Sequence, residues 1–251
     1  MKNFLKIAAI SIFLLSCADA ERDNPNDERA TNYSKPAEPS SSSSDIALSS
    51  SSEESSSSGT KRLHYGKEKE QFCDERDGKE YVYVVIGMQT WMAENLNYDA
   101  EGSKCYNDSL ENCAKYGRLY DWATAMNNSA SSSANPSRVR GICPAGWHLP
   151  SKAEWNEMTD YIGGESTEGI KLKAKSDWGN YGNGIDDYGF SALPGGFGSS
   201  GGYFGNASYN GYWWSAEDSS YSAYYRFIRN DAIWSSNDKS SLFSVRCVKD
   251  R

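Results

Sequence analysis

One stretch near the middle of the chain, residues 141–155, constrains the fold more than any other, because it joins a rigid turn to a helix start. Three residues that restrict the backbone set its turn: Pro144, Gly146 and Pro150. Ser151 stands three residues before Glu154, a spacing typical of a capping box. The apolar residues that follow recur at helical spacing; they are Trp155, Met158 and Ile162. We therefore predict a helix over 151–162, ended by a glycine pair and pinned to the domain through Cys143.

Composition and charge exclude one class of partner. The chain of 251 residues is long enough for one or two domains, and its formal net charge is −8 at pH 7. Such an acidic chain is not expected to bind nucleic acid, whose phosphates would repel it. Aromatic residues make up 13% of the sequence, with 17 Tyr and 8 Trp. That content fits extracellular binding surfaces as well as β-rich cores.

The N-terminus has the features of a secretory signal, which we place at residues 1–16. A basic segment is followed by the apolar run Ile7–Leu15, which is too short to span a bilayer. The sequence then reads Leu-Leu-Ser-Cys and resembles the lipobox of bacterial lipoproteins, where cleavage precedes the cysteine and its thiol carries a diacylglyceryl group. This resemblance implies that Cys17 is a lipid anchor to the membrane; the alternative is an ordinary signal with an accidental cysteine. Because Ala18 rather than Asp follows, lipoprotein sorting rules imply the outer membrane and favour the cell surface.

Residues 17–65 read as a flexible linker. Serine tracts at 40–44, 49–52 and 55–58 leave this segment almost without large apolar groups. It cannot bury enough surface to offset its ordering entropy, so we predict a stalk that holds a domain off the membrane.

Residues 66–251 carry the patterns of a globular domain of the α+β class. Apolar spacing predicts two helices, over 119–126 and 151–162. The expected strands are 81–86, a short strand or arm within 87–96, 170–173, 211–215, 223–228 and 242–248, with a rung at 233–234. We expect small antiparallel sheets, and long irregular loops over 127–140, 175–188 and 198–210.

Several sequence blocks match one family. They are 77–81, 86–98, 113–120, 143–151, 190–196 and 244–250. Together these blocks resemble the Fibrobacter succinogenes major paralogous domain, over about 74–250. Members of that family are commonly lipoproteins or secreted proteins without an established function.

A wider resemblance concerns the fold. The Leu-Pro-Ser-x-x-Glu-Trp turn and helix, a Trp-rich strand and the final Phe-Ser-Val-Arg-Cys strand are similar to the C-type-lectin-like and sulfatase-modifying-factor folds. The lectin-like fold implies two helices, a small sheet and a long loop region that carries binding. Residues 176–213 would be that region.

Five cysteines remain after Cys17, in a compartment that is oxidising. Cys105 and Cys113 are near enough to close one loop. The lectin-like resemblance implies a long-range bridge between Cys143 and Cys247. That leaves Cys73, either a free thiol or the partner in an intermolecular bond. Formylglycine-generating enzymes carry two close cysteines near the C-terminus, whereas this chain has one, so their oxidase chemistry does not carry over.

The other signals for chemistry are weak. His64 and His148 are the only histidines, and we expect His148 to be a packed structural residue rather than a base or ligand. No Ser-His-Asp set, metal site or cofactor is predicted. Oxygen atoms of residues 183–187 could bind calcium, although a solvated polar loop is the better interpretation of this segment. Glu154 is used as a cap, so pairing it with Glu157 as a glycosidase dyad is not favoured.

Aromatic residues crowd the loop-rich region, and they are the candidate ligand-binding residues. The candidates are Trp178, Tyr181, Tyr203, Tyr209, Tyr212 and Trp214. One of the neighbouring Trp213 and Trp214 is expected in the core. The sequence thus favours a non-catalytic, surface-tethered module that binds polysaccharide or another envelope component. The alternatives are an enzyme of the sulfatase-modifying or another type, and a purely structural envelope protein.

Overall fold

The computed structural model describes residues 70–180 and 182–251. The predictions for the signal at 1–16, for Cys17 and for the linker at 17–65 lie outside the described residues, as does Tyr181. The described residues belong to one compact unit, Tyr65–Arg251. Within them, every helix is too short or too polar to cross a membrane.

In the described part of the chain, twelve strands and four α-helices are present. The strands are β1 Glu70–Asp74, β2 Lys79–Ile86, β3 Gln89–Met92, β4 Leu119–Tyr120, β5 Trp147–His148, β6 Gly195–Gly198, β7 Phe204–Ala207, β8 Gly211–Ser219, β9 Ser222–Ile228, β10 Ala232–Asp238, β11 Phe243–Ser244 and β12 Val248–Lys249. The helices are α1 Leu110–Tyr116, α2 Trp122–Met126, α3 Lys152–Tyr161 and α4 Glu165–Leu172, with a 3₁₀ turn at Tyr106–Asp108. The α+β class predicted from the sequence is confirmed.

The strands form two five-stranded sheets and a hairpin. The first sheet has the order β1-β2-β3-β12-β5 and is antiparallel throughout. The second has the order β10-β9-β8-β11-β4, in which β8 and β11 run parallel. Strands β6 and β7 form a separate hairpin, which is bridged to Leu242 through Gly198. Since the last strands β11 and β12 lie in different sheets, the chain's end ties the two sheets together.

Strand β8 separates two apolar cores, because its successive side chains point to opposite faces. Trp214 packs in one core with Tyr120, Phe243 and the disulfide cysteines, while Trp213 packs in the other with Trp91 and Trp155. Both tryptophans are fully buried. The sequence prediction placed one of the pair in the core, and the structure places both there.

Helix α3 forms as predicted. The Oγ of Ser151 accepts from the backbone N–H of Glu154 at 3.2 Å, and the Glu154 carboxylate accepts from the backbone N–H of Ser151 at 3.0 Å. These two bonds make the capping box. Trp155, Met158 and Ile162 are all buried on the face that the spacing indicates.

Other element predictions are wrong. The two-helix count fails because α1 lies in the polar segment 106–112 and beyond it, and α4 replaces the strand predicted at 170–173. The helix predicted over 119–126 divides into β4 and α2, since Asp121 caps a helix that starts at Trp122 by accepting from the backbone N–H of Thr124 at 2.7 Å. The glycine-rich loop 198–210 contains β7.

Two disulfides have both cysteines in the described part of the chain. Cys105 is bonded to Cys113, eight residues away, and Cys143 to Cys247, 104 residues away. The second bond joins the turn before α3 to the end of the chain. None of the five cysteines in the described part is a free thiol, so the alternative of a free thiol at Cys73 is wrong.

Candidate functional site

Three of the six predicted ligand-binding aromatics are buried, and that part of the prediction is wrong. Trp178 is 3% exposed, Tyr212 9% and Trp214 0%. The indole N–H of Trp178 donates to the carbonyl of Ala192 at 2.9 Å, and that of Trp214 to the carbonyl of Tyr120 at 2.8 Å. Such rings offer no free face to a ligand, because neighbouring backbone and side chains cover them.

Two of the six lie on the surface. The side chain of Tyr203 is 65% exposed and that of Tyr209 is 42% exposed. Tyr203 precedes β7 in the β6–β7 hairpin, and Tyr209 follows that hairpin. The sixth, Tyr181, lies outside the described residues.

In the β6–β7 hairpin, aromatic residues pair across the strands with glycines. Phe197 pairs across the strands with Gly205, and Phe204 pairs with Gly198. A Cβ added to Gly205 would come within about 3.0 Å of Phe197 and 3.1 Å of Tyr203, and one on Gly198 within 3.0 Å of Phe204. Each ring therefore lies against the glycine opposite it, in space that any larger residue would fill.

These rings support one another. The Tyr203 ring packs on Phe197 at 6.0 Å between centroids, and Phe197 packs on the buried Tyr212 at 5.6 Å. Tyr106, held inside the Cys105–Cys113 loop, packs on Phe204 at 5.5 Å. We call Tyr106, Phe197, Tyr203 and Phe204 the aromatic hairpin surface. The exposed ring of Tyr203 thus rests on Phe197, which in turn contacts the buried Tyr212.

The sequence prediction missed Tyr106, Phe197 and Phe204. No helix or strand was predicted at Tyr106 or Phe197, and Phe204 lies in the loop predicted over 198–210. The alternation of glycine with aromatic residues over 195–205 is the signal that could have indicated a hairpin with rings on it.

A polar groove of about 500 Å³ lies between the β2–β3 hairpin and α1. The residues that line it include Lys79, Tyr81, Glu94, Asn95, Lys115 and Asp186. Most of its charged groups already have partners. Lys115 pairs with Asp177 at 2.5 Å, Glu94 accepts from the backbone N–H of Val82 at 3.0 Å, and Asp186 accepts from the N–H of Ser191 at 2.7 Å.

A fully buried guanidinium, that of Arg246, lies behind Asn95. Its Nε and Nη2 donate to Oδ1 of Asn95 at 3.1 and 2.8 Å, and Nη1 donates to the carbonyl of Phe190. Burial lowers the pKa of Arg246 to about 9, against the opposing charges of Glu94 and Asp186. The groove is thus a site for hydrogen bonds, with its carboxylates set against a buried cation rather than poised as a catalytic pair.

His148 is a buried, packed residue, as the sequence predicted. Its Nδ1 lies 2.7 Å from Oδ1 of Asp250, and its Nε2 lies 2.6 Å from Oε1 of Glu154. Burial alone would lower the pKa of His148, but the hydrogen bonds and charges of the two carboxylates outweigh burial and raise it. For Glu154, burial would raise the pKa, and His148 together with two backbone N–H groups lowers it.

Within residues 70–180 and 182–251, no cluster of three His, Cys, Asp or Glu side chains could hold a metal ion. In the loop 183–187, both oxygens of Asp186 accept hydrogen bonds from Ser191, at 2.7 and 2.8 Å. These bonds engage both carboxylate oxygens of Asp186 within the protein.

One family model matches the chain, that of the Fibrobacter succinogenes major domain, over residues 84–249. The chain belongs to the Fibrobacter succinogenes major domain family. The matched region of this family domain runs from within β2 to β12, so it contains the aromatic hairpin surface, the Cys105–Cys113 and Cys143–Cys247 bonds, and the groove apart from its lining residues 79–82. No curated protein and no solved structure matches the chain.

Proposed function

We propose that this domain is a non-catalytic binding module that recognises polysaccharide or another envelope component through its aromatic hairpin surface. The observation that carries the proposal is the 65% exposure of Tyr203 on a ring layer anchored in the core. An aromatic face stacks on the apolar face of a sugar ring, and a ring that is already ordered loses little entropy on binding. Polar groups of the nearby groove can add hydrogen bonds.

The proposed anchoring of the domain involves Cys17 and the serine-rich segment 17–65. Lipidation at Cys17 would anchor the protein in the outer membrane, and the serine-rich segment 17–65 would hold the domain at the cell surface. The proposal also includes a C-type-lectin-like or sulfatase-modifying-like fold. The Cys143–Cys247 bond and the long loops around the hairpin support that assignment, because both are features implied by the resemblance.

The test compares two exposed tyrosines in the full chain, purified in detergent. Tyr203→Ala removes the outer ring, and Tyr221→Ala removes a ring that is 95% exposed in the β8–β9 turn, outside the aromatic hairpin surface. Each protein is mixed with cellulose, xylan and whole-cell envelope, and the retained fraction is measured. Retention of the wild type and Tyr221→Ala, but not Tyr203→Ala, supports the proposal.

The other outcomes favour the alternatives. Equal retention of all three proteins removes Tyr203 from the binding surface. No retention on any matrix favours a purely structural envelope protein. Turnover of an ester, glycoside or peptide would favour an enzyme, such as one of the sulfatase-modifying type.

A further inference from the structure

A second cavity, of about 280 Å³, is formed by residues other than those of the groove and the aromatic hairpin surface. Its lining residues are Pro136, Arg138, Arg140, His148, Asp250 and Arg251. Three of the six are arginines, in a chain whose formal net charge is −8. The lining of this cavity is therefore rich in positive charge, although the whole chain is acidic.

The carboxylates around this cavity are already engaged. Glu154 accepts from His148 through Oε1 and from two backbone N–H groups through Oε2. Asp250 lies 2.7 Å from the other ring nitrogen of His148. Glu157 accepts from Nη2 of Arg251 at 2.8 Å. Three carboxylates thus contact His148 and Arg251, and none of them contacts the other two cations of the lining.

The two remaining cations are Arg138 and Arg140, which are both exposed. Among the residues that the structure describes, neither has a carboxylate within salt-bridge distance. The side chain of Arg140 donates from Nε to the carbonyl of Cys143 at 3.4 Å. Their backbone is held in place. Ser137 and Val139 are buried, and the Oγ of Ser137 donates to the carbonyl of Leu149 at 2.6 Å. Two unneutralised guanidinium groups thus face one cavity from a fixed segment.

We propose that this cavity binds a phosphate group through Arg138 and Arg140. A phosphate monoester carries about −1.5 to −2 charges at pH 7, and it could pair with both guanidinium groups at once, whereas a carboxylate carries a single charge. Guanidinium N–H groups also fit phosphate oxygens in pairs. The cavity is large enough for a phosphate carried on a sugar-sized molecule. This proposal does not depend on binding at the aromatic hairpin surface.

The experiment is isothermal titration of the full chain in detergent with inorganic phosphate, at ionic strength held constant with sodium chloride. We expect a dissociation constant on the order of 1 mM for the wild type. Arg138→Gln and Arg140→Gln should each raise it about tenfold, the effect of losing one charge-assisted hydrogen bond. Lys104→Gln, which removes a half-exposed cation elsewhere on the surface, should leave it unchanged.

Titration with glucose 6-phosphate and with dihexanoyl phosphatidate shows whether a sugar or a lipid carries the phosphate. Tighter binding of either compound than of inorganic phosphate, sensitive to the same two substitutions, supports the proposal and names the source. Absence of phosphate binding in the wild type overturns it. Binding that both arginine variants retain in full overturns it as well. Circular dichroism of both variants excludes misfolding as the cause of a loss.

Discussion

A single side-chain oxygen, Oδ1 of Asn95, accepts hydrogen bonds from two buried side chains. Arg246 donates through Nε and Nη2, and Trp213 donates through Nε1 at 2.8 Å. Arg246 forms no ion pair in the described residues, so Asn95 is its main side-chain partner. This residue therefore connects the last strands, β8 and the groove.

We predict that Asn95→Ala destabilises the domain by about 3 kcal/mol or more, because it leaves a buried cation without its acceptor. Urea unfolding followed by tryptophan fluorescence measures the change. Asn97→Ala is the matched control, since Asn97 makes its contacts to Tyr81 and Lys79 through the backbone. Equal stability of the two variants would contradict the assigned role of Asn95.

His148 gives stability a pH dependence whose sign follows from the two pKa shifts. The raised pKa of His148 means that its contribution is fully present below about pH 6.5 and is lost as pH rises through the folded-state value. The lowered pKa of Glu154 means that its contribution is present above about pH 4.5 and is lost at lower pH. Both contributions to stability are therefore fully present between about pH 4.5 and about pH 6.5.

We predict that His148→Gln lowers the free energy of unfolding more at pH 5.5 than at pH 9. Urea unfolding of the wild type and the variant at the two pH values measures both differences. A difference that is the same at both pH values would show that folding does not shift the pKa of His148.

Local patterns predicted the capping box of Ser151 and Glu154, because it depends on residues close in sequence. They also predicted the packed state of His148, although its contact with Asp250 spans 102 residues. The burial of Trp178 could not be predicted in the same way. This residue stands among Gly, Asn and Asp, and its burial depends on the carbonyl of Ala192 and on the side chain of Lys173, 4.9 Å from its ring. Tertiary contacts of this kind leave no local signal.

At the scale of elements, α4 shows how packing can override a local pattern. The alternation at 170–173 indicated a strand, and α4 has no side-chain cap at its first residue. Tertiary contacts on one face stabilise the helix. Leu172 is fully buried there, and Glu168 pairs with the buried Arg226. Sequence periodicity over four residues could not distinguish these two outcomes.

We predict that Gly169→Ala in α4 destabilises the domain by about 1–3 kcal/mol, although alanine normally favours a helix. A Cβ at this position would lie 2.4 Å from the carbonyl oxygen of Asn230, so the helix would have to move away from the β9–β10 turn. Thermal unfolding measures the change. Ser166→Ala, at an exposed position of the same helix, should change stability by less than about 0.5 kcal/mol. A stabilising Gly169→Ala would show that α4 does not pack this closely.

The whole molecule is held by contacts between distant parts of the chain. The α+β class could be predicted from the order of helical and strand patterns, and the lectin-like resemblance implied the Cys143–Cys247 bond. The sheet order β1-β2-β3-β12-β5 could not be predicted, because the two-residue strands β5 and β12 are defined by their partners rather than by their sequence.

We predict that the two disulfides stabilise the domain unequally. Loop-closure entropy assigns about 4.7 kcal/mol to the Cys143–Cys247 bond and about 2.5 kcal/mol to the Cys105–Cys113 bond, because their loops differ in length. Unfolding of the two Cys-to-Ser double variants in urea measures both losses. A larger loss from the shorter loop would mean that strain or local packing, rather than chain entropy, decides the effect.

The central claim is that Tyr203 belongs to a binding surface. The most direct measurement is the adsorption isotherm of the full chain on whichever matrix retains the wild type, repeated for Tyr203→Ala and Tyr221→Ala. Loss of an exposed stacking ring at the centre of a contact should weaken binding at least about tenfold for Tyr203→Ala, with Tyr221→Ala matching the wild type. Isotherms that coincide for all three proteins would contradict the claim.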